Sequence, residues 1–170
     1  MLDAQQVLCE YLQSPQRQLE LGLSVPTFSV FFDPRNEFIE WMKGFCDGKT
    51  VVDCGCGCGQ TVAVLRHAGL TAIGVDLHGA ETPMIPDIHL FNAEHFPFSE
   101  NHIALMTRPC RGDWIHATII KAVESGAKFV YAGKEEHYKA DLEPLPYKVE
   151  KDRKSTRLNS SHVSESRMPS

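Results

Sequence analysis

At 170 residues the chain is one domain's worth of sequence and long enough to bury a sizeable core. Its formal net charge is −5, and since the last 20 residues hold five basic and two acidic side chains, the first 150 carry −8; an acidic body argues against an extended nucleic-acid surface, which needs a basic patch. No apolar run approaches a membrane span, and the N-terminus has no basic, apolar signal segment; the expectation is a cytoplasmic chain, with no membrane partner and six cysteines kept as reduced thiols.

In chain order, Asp3 to Gln13 sets Val7, Leu8, Tyr11 and Leu12 on one helical face. Ser14-Pro15 interrupts it, and a second short helix runs to Leu21. Asp33-Pro34 is a helix start, an acceptor followed by proline in the first turn. Phe38, Trp41, Met42 and Phe45 then recur at helical spacing, a stripe that reads as core, which makes residues 1–48 an N-terminal helical segment.

Thr50 to Gln60 is an apolar, β-branched run that breaks into glycines at Gly55, Gly57 and Gly59. It reads as a strand feeding a loop whose main chain touches a ligand, since residues without Cβ take turn conformations freely and admit close approach. Thr61 to Ala68 reads as a helix closed by Gly69, and Leu70 to Asp76 as a second strand. Strand, glycine loop, helix and strand ending in an acid is the first half of a nucleotide-binding βαβ unit. A dinucleotide fingerprint wants glycine sixth in the series, where Gln60 or Val62 stands, and a phosphate loop wants Gly-Lys-Ser/Thr, which is absent. Cys54, Cys56 and Cys58 alternate with the glycines rather than taking zinc-ligand spacing, so they read as small side chains beneath the loop, with no metal expected.

Asp53-x-Gly55-x-Gly57-x-Gly59 resembles the first motif of class I S-adenosylmethionine-dependent methyltransferases, and Asp76 resembles that family's acid at the end of the second strand. The resemblance implies an α/β fold with a doubly wound, mostly parallel, Rossmann-like sheet over residues 49–150, S-adenosyl-L-methionine as cofactor, and methyl transfer to an unidentified acceptor. It implies that Asp53 fixes the loop and the methionine end, that Cys54, Gly55, Cys56, Gly57 and Gly59 admit the cofactor along the backbone, and that Asp76, with Leu77 beside it, holds the ribose. A carboxylate accepts two hydrogen bonds from a vicinal diol, and charge-assisted bonds are the stronger kind. Family members often carry N-terminal helices over the cofactor, which would make Phe28 to Phe32 part of a lid.

Leu77 to Asp87 holds two prolines and a glycine and does not read as a crossover helix. Ile88 to Asn92 is the third strand, and Asn92-Ala93-Glu94-His95-Phe96-Pro97-Phe98 resembles the family's adenine-reading segment, with Asn92 where the family has an acid. Asn92 and Ala93 would meet the adenine, the Asn92 oxygen accepting from its amino group. His102 to Thr107 is the fourth strand. At its C-terminal edge, where ligands sit in such sheets, Thr107, Arg108 and Arg111 are the acceptor-side candidates, the arginines suiting an anionic group. The Pro-Pro-aromatic signature of exocyclic-amine methylation is absent, Thr-Arg-Pro-Cys standing there instead, so the catalytic group is unassigned. Asp113 caps a helix from Trp114 to Ser125 closed by Gly126, and Ala127 to Ala132 is the fifth strand. The scattered histidines read as surface or structural residues.

Residues 134–150 are charged, with two prolines, and show no clear element. Residues 151–170 are rich in serine and arginine, carry no periodicity and resemble an adapter-derived tail, the alternative being a disordered basic tail; either way the sheet is expected to stop at five strands plus remnants, with an open edge and its C-terminal strands missing. A protein that binds the cofactor without transferring methyl, and a nicotinamide-dependent oxidoreductase on the same fold, are the competing readings. Nothing in the residues specifies the acceptor or the oligomeric state.

Overall fold

Val51 and Val52 are fully buried on opposite sides of one strand, β1 (Thr50–Cys54), and that pattern organises the domain. The computed structural model describes residues 36–57, 59–77, 88–90, 92–107, 109–110, 112–133, 135–151 and 159–167. The helices expected before Asn36, the lid at Phe28 to Phe32 and the crossover at 78–87 lie outside them. Around β1 stand α1 (Asn36–Cys46), α2 (Gln60–His67), β2 (Ala72–Asp76), β3 (Ile88–Leu90), a 3-10 turn (Ala93–His95), β4 (His102–Thr107), α3 (Trp114–Glu124), β5 (Lys128–Gly133), α4 (Glu135–Leu142), β6 (Tyr147–Lys151) and β7 (Asn159–Arg167).

The sheet runs β3-β2-β1-β4-β5-β7-β6. Every pairing from β3 to β5 is parallel, while β7 is antiparallel to both β5 and β6. Successive residues of the central strands sort onto opposite faces, as the two-residue period of a strand requires. Val51, Ile103, Leu105, Val130 and Ala132 meet Phe38, Met42, Val62 and Leu65 from α1 and α2. Val52, Cys54, Ala104, Met106, Phe129 and Tyr131 meet Ile115, Ile119 and Ala122 of α3 and Leu142 of α4. A sheet covered on both sides reads as nearly continuous apolar runs, which is how β1, β4 and β5 are written. Ile103 and Leu105 are fully buried, and each such side chain contributes about 1.5–3 kcal/mol.

The aromatic stripe of α1 is core as expected: Phe38 and Met42 are buried, and the Trp41 and Phe45 rings stack with centroids 4.8 Å apart. The end of the chain differs from expectation. Residues 135–142 form α4, residues 147–151 form β6, and residues 159–167 form β7, so the sheet has seven strands and β5 is no open edge. An open strand edge needs only backbone N–H and C=O partners, which any extended segment supplies, so the polar run Asn159-Ser-Ser-His162 pairs with β5 without apolar alternation to announce it. Among the described residues no helix is long and apolar enough to cross a membrane.

Candidate cofactor site

Parallel pairing of β1 with β2 and with β4 brings three strand ends to one edge of the sheet, where Asp53, Asp76 and Thr107 stand. Asp53 is nearly the last residue of β1, and its side chain is buried. Neither of its carboxylate oxygens meets a hydrogen-bond donor among the described residues. Burial, and then the neighbouring Asp76 carboxylate, push its pKa up to about 7. A buried carboxyl with no donor is costly unless a partner arrives.

The loop after β1 folds back on β2. The Gly55 and Cys56 N–H groups donate to the Val75 carbonyl at 2.7 and 3.2 Å, the Gly57 N–H donates to Asp76 Oδ2 at 2.8 Å, and the Gly59 N–H donates to the Cys56 carbonyl at 3.0 Å. These four donors are therefore engaged within the protein, and the loop offers a ligand its shape and its flanking acids more than free N–H groups. Gly59 takes φ +91° at the N-terminus of α2, a left-handed conformation in which a side chain would be strained.

Leu77 follows β2, Asn92 and Ala93 follow β3, and Thr107 ends β4, at the carboxyl ends of the parallel strands. Cys54 is buried in the core with its thiol pushed well above its ordinary range, first by burial and then by Asp53, so only its main chain can serve a ligand. Cys56 is half-buried, with Sγ 3.6 Å from the Gly57 carbonyl; Cys58 lies outside the described residues. Leu77, next to Asp76, exposes 58% of its surface, the one large apolar side chain so exposed among the described residues. Asn92 heads the 3-10 turn with its Oδ1 accepting from the Glu94 N–H at 3.2 Å and its Nδ2 donating to Glu94 Oε1, and Ala93 is buried behind it in the core that holds Val75. The Asn92 oxygen expected to read an adenine thus already caps a turn, and one lone pair remains to it. Thr107 is half-buried at the end of β4, whereas Arg108 and Arg111 lie outside the described residues. The histidines at 102 and 116 bond locally: His102 Nδ1 accepts from the Ser99 N–H, and His116 Nε2 lies 3.1 Å from the Ala140 carbonyl.

One residue at this edge escapes a reading of the sequence. Trp114, first in α3, lays its ring between the glycine loop and the loop after β4, and its Nε1–H donates to the Cys110 carbonyl at 2.9 Å. In sequence it is only the first apolar residue of a helix; the glycines at 55 and 112 that flank its ring are 57 positions apart.

No family model and no curated protein sequence matches the chain. Solved structures do. A TehB-like SAM-dependent methyltransferase from Corynebacterium glutamicum aligns over 92% of this chain and 97% of its own, with a TM-score of 0.56 and 12% identity. The 1,6-didemethyltoxoflavin-N1-methyltransferase of Burkholderia thailandensis, solved with S-adenosylhomocysteine, aligns over 96% and 90%, with a TM-score of 0.51 and 14% identity. A magnesium protoporphyrin IX methyltransferase from Synechocystis, with bound SAM, covers 96% of each chain at a TM-score of 0.50 and 14% identity. The chain therefore has the class I methyltransferase fold, as the motif around Asp53 implies.

Proposed function

We propose that the protein is an S-adenosylmethionine-dependent methyltransferase. The observation that carries this reading is Asp53, a buried carboxyl without a donor at the foot of a glycine loop, beside a second acid, Asp76, at the next strand end. An ammonium or amide group of an amino-acid moiety would satisfy the first acid and a ribose diol the second. The residues present fit the cofactor: Asp53 takes the methionine end, the Gly55–Gly59 loop lies along it, Asp76 exchanges or shares its Gly57 bond with the ribose hydroxyls, Leu77 offers an apolar wall, and Asn92 and Ala93 border the base. When bound, the cofactor supplies an electrophilic methyl group on a sulfonium. The protein's part is to hold that methyl in line with a nucleophile, the positioning contribution to rate.

The acceptor would enter at the end of β4, past Thr107, and Arg108 and Arg111 suit one that carries an anionic group. Thermal unfolding with S-adenosylhomocysteine and with NAD in parallel tests the cofactor. A ligand at about a hundredfold its Kd adds about 2.7 kcal/mol, or roughly 5–10 °C in a chain of this size. The expected outcome is a shift with S-adenosylhomocysteine alone; a shift with NAD alone, or with neither in a cooperatively melting chain, would overturn the proposal.

A further inference from the structure

The indole of Trp114 occupies space that two glycines leave open. A Cβ built on Gly55 would stand 3.1 Å from its Cη2, and a Cβ on Gly112 would stand 2.9 Å from its Cδ1. The Nε1–H bond to the Cys110 carbonyl fixes the ring in its plane, and the ring packs on the core beneath α3. Gly55 is thus small for a reason besides ligand access: it receives the edge of this ring. We propose that Trp114 is a positioning residue, a wedge that sets the glycine loop against the loop following β4 and so couples cofactor binding to the acceptor edge.

The inference rests on the cofactor reading only for the identity of the ligand. The geometry itself links the two loops through one rigid side chain, with room for no side-chain atom at Gly55 or Gly112 unless the ring or the chain shifts. Coupling of this kind is reciprocal in free energy, so a ligand at either loop changes affinity at the other by the same factor.

Gly112 provides the test, because its backbone lies outside the left-handed region and alanine there meets the indole rather than a backbone penalty. Amide exchange at Gly55, Cys56 and Gly57 would be followed in the wild type, in Gly112→Ala, in Trp114→Leu and in the double variant, with Ile119→Val as a control that loosens the same helix. The expected result is that Gly112→Ala speeds exchange at those amides by about fivefold or more, the lower end of ordinary coupling between sites. In the Trp114→Leu background the same change should add nothing, and Ile119→Val should not reproduce the pattern. An unchanged loop in Gly112→Ala, or an equal effect with and without the indole, overturns the proposal. Trp114→Phe, which keeps a ring but loses the bond to Cys110, serves should the leucine variant fail to fold, and should give an intermediate rate. Trp114→Leu should also weaken S-adenosylhomocysteine binding by about fivefold or more on the same coupling, and unchanged affinity counts against the wedge. Failure of the wild type to bind this probe at all would sink the cofactor reading, while the exchange cycle would still decide whether Trp114 sets the loop.

Discussion

Asp53 concentrates the tension of the site in one residue. With its pKa raised to about 7, its carboxyl keeps a proton in the folded chain at pH values where the unfolded chain has released it. Across the window from about pH 4 to 7 the folded state binds more protons, so the contribution of Asp53 to stability falls as pH rises and levels off above 7. Asp53→Asn removes the titration. The variant should gain on the wild type between pH 5 and pH 8 and melt higher at pH 8, by about 1 kcal/mol or more, since an unpaired buried charge costs more than an unpaired amide. Melting curves at the two pH values check this, and a stability difference independent of pH would contradict it. The acid was legible in the sequence from its place two residues before the first glycine. Its lack of a donor was not, because that depends on Gly74 and Leu105, its register partners from two other strands.

Elements show where local signals suffice. The α3 helix ends where Gly126, at φ +85°, turns the chain, and α2 ends likewise at Gly69. The start of α3 differs from expectation: Asp113 has helical dihedrals, φ −64° and ψ −20°, and its side chain makes no capping hydrogen bond. An N-cap needs extended dihedrals to turn its side chain back on the first N–H groups, and Asn92, at φ −68° and ψ 123°, has them and does cap its turn. Asp113→Ala should therefore change stability by less than about 0.5 kcal/mol, the range of ordinary surface substitutions, where a true cap would lose about 1 kcal/mol. Urea denaturation distinguishes the two, and a loss of the larger size would contradict the assignment. Capping residues were visible as residue types; which of them cap is a matter of dihedrals that the letters do not carry.

At the scale of the whole molecule the parallel half of the sheet was legible because burial on both faces writes apolar runs into β1, β4 and β5. The antiparallel end was not, since β7 joins through its backbone and its sequence is dominated by serine and charge. Asn159 to Arg167 has a single apolar residue, Val163, and therefore little apolar surface to remove from water, and local stability follows such surface. Backbone amides of β7 should thus exchange before those of β1 and β4, a mass-spectrometric comparison that equal protection across the sheet would contradict. The claim on which the whole account turns is that the β1 loop and its two acids form a cofactor cradle, and calorimetric titration of the full chain with S-adenosylhomocysteine tests it most directly. Saturable binding at one site is expected, weakened about tenfold or more by Asp76→Ala, as loss of a hydrogen bond to a charged group entails. No saturable binding, or an Asp76→Ala variant that binds as tightly as the wild type, would contradict it.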